Sequence, residues 1–172
     1  AVWDRLERQL YLGRDRIGEK PLYYGWVGGA FVFASELKAL KCLPEFANPV
    51  DRNVLALYLR HCYVPSPYSI YENIFKLEPG CLLTITDQAI NNPPSAIPKA
   101  PLHENGFILD RWWSLESLVL DCGQNQITDE RTAIEMLETR LIESIKLQSI
   151  ADVPLGAFLS GGIDSSSIVA LM

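Results

Sequence analysis

The amino-acid sequence predicts an α+β region built on an antiparallel sheet, followed by the start of an α/β domain. Two aromatic-rich strands at 22–27 and 30–34 flank a Gly-Gly pair, which is a strong hairpin signal. The order helix, apolar strand, glycine-rich turn and apolar helix at 129–172 is typical of an α/β unit. Between these regions, four prolines among small polar residues indicate a linker. We therefore expect domains at 1–90 and 111–172, joined by a linker at 91–110.

The overall composition limits the classes of function. The chain has 172 residues, of which 48% are hydrophobic and 21% charged, as in ordinary globular proteins. Its formal net charge of −6 argues against nucleic acid or an anionic membrane as a partner. No apolar run reaches the length of a membrane-spanning helix.

The four cysteines do not form a recognisable metal or disulfide pattern. None lies in a Cys-x-x-Cys pair, and His61 and His103 complete no zinc motif. Buried, reduced thiols are therefore expected, which fits a reducing compartment and a cytoplasmic protein. These cysteines are Cys42, Cys62, Cys81 and Cys122.

The first region contains strands followed by short helices. Alternating apolar and polar residues predict a strand at 9–14, and Ser35 is expected to cap a helix at 36–41. In the charged connection between the first two strands, Arg14 and Asp15 are expected to form an ion pair that holds the turn. Asp51 precedes a helical apolar pattern and is the expected cap of a second helix. A further strand is predicted at 81–86.

The second region is predicted to begin with an amphipathic helix capped by Thr128. An apolar stripe along this helix suits packing against a sheet. The apolar run 153–159 then predicts a buried strand. The stripe consists of Ile134, Leu137, Leu141, Ile142 and Ile145.

The glycine-rich turn at 160–166, with the sequence Ser-Gly-Gly-Ile-Asp-Ser-Ser, predicts an anion site. Gly161 and Gly162 can take positive φ and direct backbone N–H groups at one point. The helix that follows supplies free N–H groups and a partial positive charge, which suits phosphate or pyrophosphate. Asp164 would repel phosphate unless it holds a bridging Mg²⁺. The candidate residues are Ser160, Gly161, Gly162, Asp164, Ser165 and Ser166.

The simpler interpretation of this turn is a serine-capped connection with no ligand. The apolar segments on both sides favour the anion site, because together they define a strand-turn-helix unit. The turn is not a Walker loop, since it lacks the Gly-Lys-[Ser/Thr] ending.

Several motifs in order resemble glutamine-dependent asparagine synthetases of the bacterial two-domain type. The segment 153–166 is similar to the family's synthetase loop, which belongs to the N-type ATP pyrophosphatases. The segments 13–24 and 33–40 are similar to the late part of its glutaminase domain. The segments 63–67 and 77–80 are similar to the stretch that leads out of that domain.

The resemblance implies the end of an N-terminal-nucleophile-type glutaminase domain before the start of an ATP-pyrophosphatase domain. It implies hydrolysis of glutamine by an N-terminal cysteine, and attack of the aspartate side chain on the α-phosphate of ATP. Ammonia would then open the β-aspartyl-AMP to give asparagine, with AMP and pyrophosphate released. It also implies Leu159 as a further ATP contact, Asp164 as a Mg²⁺ ligand, and a homodimer.

Two other functions stay open at this point. A sister amidotransferase could use another acceptor carboxylate, in a β-lactam-forming or sugar-acid-amidating reaction. A non-catalytic nucleotide-binding relic could have kept the fold. Because Ala1 opens within an apparent strand and Met172 within an apparent helix, we also expect a piece of a longer protein. The glutaminase nucleophile would then lie outside it, so no catalytic residue is assigned and the piece alone is expected to be inactive.

Overall fold

A computed structural model describes residues 1–123 and 126–172. The chain divides into two compact units, Ala1–Leu118 and Val119–Met172. The described strands are β1 Val2–Asp4, β2 Gln9–Gly13, β3 Tyr23–Val27, β4 Ala30–Ala34, β5 Ile74–Lys76, β6 Cys81–Thr86, β7 Leu102–Glu104 and β8 Phe107–Arg111. The described helices are α1 Leu37–Leu40, α2 Arg52–His61, α3 Asp87–Asn91, α4 Leu115–Cys122, α5 Glu130–Gln148 and α6 Ile163–Leu171.

The first unit contains two antiparallel sheets. One has five strands in the order β1-β2-β6-β8-β7, and the other has three in the order β4-β3-β5. The predicted hairpin is confirmed, because β3 pairs with β4 and Gly28 and Gly29 both have positive φ. The α+β class expected for this region is therefore confirmed.

The aromatic residues of the two sheets share one core. Tyr24 of the three-stranded sheet is 1% exposed, and its ring centroid lies 6.2 Å from that of Phe107 in the five-stranded sheet. Leu12 and Leu83 are fully buried in the same cluster. Because burying one large apolar side chain contributes roughly 1.5–3 kcal/mol, this cluster is the main source of stability in the unit.

The connection from β2 to β3 is held by side chains that bind backbone atoms. The Arg14 guanidinium donates to the carbonyl oxygens of Leu77 at 2.6 Å, Gly18 at 2.8 Å and Lys20 at 3.0 Å. The predicted ion pair is wrong, since no ion pair joins Arg14 to Asp15 in the described parts of the chain. Each side chain instead satisfies backbone groups that the turn leaves without partners.

The Asp15 carboxylate accepts three backbone hydrogen bonds. The donors are the N–H groups of Gly18 at 2.6 Å, Glu19 at 2.9 Å and Lys20 at 3.3 Å. Slight burial acts to raise the pKa of Asp15, but these donors outweigh it and hold the pKa below its ordinary value. The ionised form of Asp15 therefore stabilises the folded turn.

We expect Asp15→Asn to lower the free energy of unfolding at pH 7 by about 1 kcal/mol, because charge-assisted hydrogen bonds become neutral ones. A carboxyl whose folded pKa is lowered stabilises above its unfolded pKa of about 3.9 and loses that effect as pH falls through the folded value. The deficit of Asp15→Asn should therefore shrink below about pH 4. Urea unfolding at both pH values measures it, with Glu7→Gln as an exposed control. A deficit of equal size at both pH values would contradict this role.

Of the two helix caps predicted in the first unit, one is confirmed and one is wrong. Asp51 is confirmed as the cap of α2, since its Oδ1 accepts from the backbone N–H of Asn53 at 2.8 Å and of Val54 at 3.1 Å. Ser35 is not a cap, because α1 follows Glu36, which makes no side-chain cap bond. Capping needs the side-chain oxygen directly before the first turn, and Ser35 lies one residue too early.

The cap of α5 is shifted by one residue from the predicted Thr128. Asp129 is the N-cap and its carboxylate accepts from the backbone N–H of Thr132 at 2.8 Å. Asp129 also accepts from the Thr132 hydroxyl at 2.6 Å, which a threonine cap would not do as strongly.

Part of the segment predicted as linker forms strands in the structure. β7 and β8 form a hairpin whose turn residues, Asn105 and Gly106, have φ of 46° and 82°. β8 also pairs with β6, which extends the five-stranded sheet. Asn-Gly is the preferred turn dipeptide for such hairpins, and it outweighed the proline-rich composition. Residues 92–101 have no strand or helix.

The thiols are less buried than expected. Cys81 is fully buried at the start of β6, whereas Cys42, Cys62 and Cys122 are exposed. All four are free. The prediction of buried thiols is wrong for three of them because hydrophobic character alone does not determine which face of a helix or loop a residue occupies.

The second unit consists mainly of α5 and α6. Leu141 and Ile145 of α5 line a pocket of about 370 Å³ together with Ile168 of α6. The predicted strand at 153–159 is wrong, since this segment has no strand hydrogen bonds and Phe158 is 100% exposed. A strand needs a partner, and the described residues of this unit contain no other strand. The apolar composition of the helix after the glycine-rich turn suggests burial, but α6 has no buried residue.

None of the helices in the ranges 1–123 and 126–172 has the length and apolarity needed to cross a membrane.

Candidate functional site

The glycine-rich turn leads directly into α6. Gly162 is the N-cap residue with φ −78°, and α6 begins at Ile163. The expectation of two positive-φ glycines is half right: Gly161 has φ 80°, but Gly162 has an ordinary φ. A position like Gly161 favours glycine because L-residues with a Cβ are strained there.

α6 starts at Ile163, within the segment 160–166 that was predicted as a turn. As a result, Asp164 and Ser165 lie in the first turn of α6 rather than in the loop. The N-cap has no side chain, so no cap bond satisfies the first N–H groups of the helix. Free N–H donors and the positive end of a helix dipole are features that favour an anion at a helix N-terminus.

Two serines at the turn hydrogen-bond to each other. The Oγ atoms of Ser160 and Ser165 lie 3.0 Å apart, and Ser165 Oγ donates to the carbonyl oxygen of Gly162 at 3.1 Å. This contact links the residue before the glycines to the first helical turn. It places two hydroxyl groups at the N-terminal end of α6.

The other predicted residues lie beside this pair without bonding to it. Asp164 is exposed and its carboxylate accepts no hydrogen bond in the described part of the chain, so it is available to a cation. Ser166 contributes its backbone N–H to the carbonyl of Gly162 at 3.1 Å. Leu159 is 62% exposed immediately before the turn.

The fit of the turn to magnesium depends on a single carboxylate. Within the described residues, no group of three or more His, Cys, Asp or Glu side chains is arranged to hold a metal. Mg²⁺ is commonly bound by one or two carboxylates, with waters and substrate phosphates as its remaining ligands. Asp164 fits that mode of binding, whereas the residues that the structure describes form no metal site from protein ligands alone.

The first unit has an apolar cavity that the sequence analysis did not predict. It is lined by Tyr58 and Leu55 of α2, Tyr23 of β3 and Lys76 of β5, among others. The signal in the sequence was a single lysine within the apolar run 74–77. Such a lysine places its ammonium group beside apolar side chains when the strand packs against a helix.

Comparison with protein families gives two matches along the chain. The glutamine amidotransferase domain family matches residues 1–95. The asparagine synthase family matches residues 136–172, which include the whole glycine-rich turn. The two matches occur in the order that the resemblance of the motifs implied.

Curated relatives match along almost the whole chain. A putative glutamine-hydrolysing asparagine synthetase 2 of Methanocaldococcus jannaschii is 34% identical over 174 residues, covering 100% of this chain and 30% of the relative. The glutamine-hydrolysing asparagine synthetase 3 of Bacillus subtilis is 31% identical, covering 99% of this chain and 24% of the relative. Amidase chry2 of Gibberella zeae is 29% identical, covering 100% of this chain and 22% of the relative.

The chain thus spans less than a third of the length of these relatives. The amidotransferase match alone covers 95 of its 172 residues. The chain therefore belongs to the glutamine amidotransferase domain family, joined to the beginning of an asparagine synthase domain.

Proposed function

We propose that this chain is part of a longer glutamine-hydrolysing asparagine synthase. The reaction would amidate aspartate through β-aspartyl-AMP with ammonia taken from glutamine, and would release AMP and pyrophosphate. The observation that carries the proposal is the N-terminus of α6, which follows Gly161 and has no side-chain cap. This N-terminus lies within the residues that match the asparagine synthase family. The share of each relative that the chain covers supports the view that further residues complete the enzyme.

The turn would bind the β- and γ-phosphates of ATP and stabilise the pyrophosphate as it leaves. The free N–H groups of α6 can donate to phosphate oxygens. The Ser160 hydroxyl can do so when its proton turns away from Ser165, whose own proton is donated to the Gly162 carbonyl. Donors that are already oriented act most strongly where negative charge grows in the transition state. The backbone beside Leu159 would contact the nucleotide.

Asp164 would hold Mg²⁺ against the same phosphates. Mg²⁺ neutralises charge on the leaving group when bound there. Asp164 lies in the first helical turn, so a cation on its carboxylate and an anion on the helix N-terminus can be neighbours. The protein would contribute this one carboxylate and the donors around it.

The first unit would belong to the glutaminase domain that supplies ammonia. None of its described residues is assigned a catalytic role. The domain limits of 1–90, 91–110 and 111–172 remain part of the proposal, as do a cytoplasmic location and a homodimer. Glutamine, aspartate and ATP would be the small-molecule partners.

A related amidotransferase with another acceptor carboxylate is the second candidate. The amidase-named relative matches the same length of chain with 29% identity, close to the 31% of a relative named asparagine synthetase. These 172 residues therefore do not discriminate between acceptors. A non-catalytic relic is disfavoured, because the glycine with positive φ, the serine pair and the first-turn carboxylate are all present.

Transfer of labelled nitrogen tests this proposal. The full-length protein containing these residues should convert aspartate, Mg-ATP and [amide-¹⁵N]glutamine into asparagine with ¹⁵N in its side-chain amide. Omitting aspartate should abolish amide formation but leave labelled ammonia. Labelled ammonia without labelled asparagine, when aspartate is supplied, would contradict aspartate as the acceptor.

A further inference from the structure

The cavity between α1, α2 and the three-stranded sheet has an apolar wall and one charged group. Its volume is about 400 Å³, within the range of small-molecule sites. Tyr23 of β3 and Lys76 of β5 are directly opposed in the sheet register, so their side chains line the same end of the cavity. The lining residues are Tyr23, Leu37, Leu55, Tyr58, Val64, Ile70 and Lys76.

Lys76 is the unusual member of this lining. Its Nζ donates to the carbonyl oxygen of Val64 and lies 5.9 Å from the centre of the Tyr23 ring. No carboxylate is within ion-pair distance of it in the described ranges of the chain. An ammonium group has three donors, so donors remain after the bond to Val64.

The surroundings make the unpaired charge of Lys76 costly. Burial lowers the pKa of Lys76, and the nearby positive charge of Arg14 lowers it further. A partly buried charge without a counter-ion is stabilised when an anion replaces the lost hydration. An anion in the cavity would therefore find in the Lys76 ammonium a partner that is not paired with a carboxylate of any described residue.

We infer that this cavity binds a small organic carboxylate with an apolar body, such as an arylalkanoate or a short-chain fatty acid. The carboxylate would accept charge-assisted hydrogen bonds from Lys76 Nζ. The apolar body would contact Leu37, Leu55, Tyr58 and Ile70, which removes apolar surface from water. Leu55 and Tyr58 are 39% and 46% exposed, so ligand burial would cover surface that is now open to solvent.

A matched ligand pair tests the inference on the 172-residue chain. 3-Phenylpropionate and its neutral isostere 3-phenylpropanamide are titrated by calorimetry, with NMR shifts of Leu55 and Tyr58 locating the site. We expect the acid to bind at least tenfold more tightly than the amide. Lys76→Met should remove this preference while leaving the weak binding of the amide. Lys99→Met changes an exposed lysine outside the cavity, so it should keep the preference for the acid.

Comparison of the two ligands on the unmodified protein does not depend on the folding of any variant. Equal affinity for acid and amide would overturn the inference, as would shifts that leave Leu55 and Tyr58 unaffected. A folded Lys76→Met variant that keeps the tenfold preference would overturn it as well. Far-UV circular dichroism establishes that this variant is folded.

Discussion

Asp164→Asn in the full-length protein should reduce asparagine synthesis by roughly a hundredfold or more, while glutamine hydrolysis stays near its normal rate. Loss of one electrostatic group that stabilises developing charge commonly costs about 10²–10³ in rate. Asn keeps the shape of Asp164 and the first turn of α6 but lacks the negative charge that we propose holds Mg²⁺. Rates of asparagine and glutamate formation, measured in the same reaction, separate the two activities.

Asp121→Asn is the matched control for this change. Asp121 is an exposed carboxylate near the end of α4 and has no part in the proposed site. It should leave both activities unchanged. Near-normal asparagine formation by Asp164→Asn would contradict the metal role. An equal loss of both activities would instead indicate that the variant is misfolded.

Gly80→Ala should destabilise the first unit by about 3–5 kcal/mol, near the top of the range for single substitutions. Gly80 has φ 64°, and an added Cβ would lie 2.2 Å from the carbonyl oxygen of Trp113. The backbone of Gly80 also donates to the Asp15 carbonyl and accepts from the N–H groups of Trp112 and Trp113. Any shift that relieves the clash must weaken these bonds. Urea unfolding measures the effect.

Gly29→Ala isolates the contribution of the backbone conformation. Gly29 has φ 82°, but an added Cβ there meets nothing within 4 Å. It should therefore cost only the strain of positive φ, about 1–2 kcal/mol. If Gly80→Ala costs no more than Gly29→Ala, then contact with Trp113 does not determine the choice of glycine at position 80.

Local sequence signals predicted the elements that depend on neighbouring residues. The Gly28-Gly29 hairpin and the Asp51 cap occur where expected, since turn conformation and capping are settled within a few residues. The hairpin at Asn105-Gly106 was equally readable, but the surrounding prolines obscured it. The prolines predicted a linker at 91–110, but the backbone is without strand or helix only at 92–101.

Features that depend on distant residues were not predictable in the same way. Arg14 binds the Leu77 carbonyl, a partner 63 positions away, so the sequence suggested its neighbour Asp15 instead. The segment 153–159 has the composition of a buried strand, but composition does not supply a strand partner. In the candidate site, the residue types of the turn were readable, whereas the early start of α6 was not.

The bond of ATP that breaks tests the central claim most directly. The turn has no lysine to draw charge to the γ-phosphate, and its donors would hold a leaving pyrophosphate. Full-length protein incubated with aspartate, glutamine and Mg-ATP should form AMP and pyrophosphate in a one-to-one ratio with asparagine, as resolved by anion-exchange chromatography. Accumulation of ADP and inorganic phosphate without AMP would contradict the assignment of this turn and of the reaction.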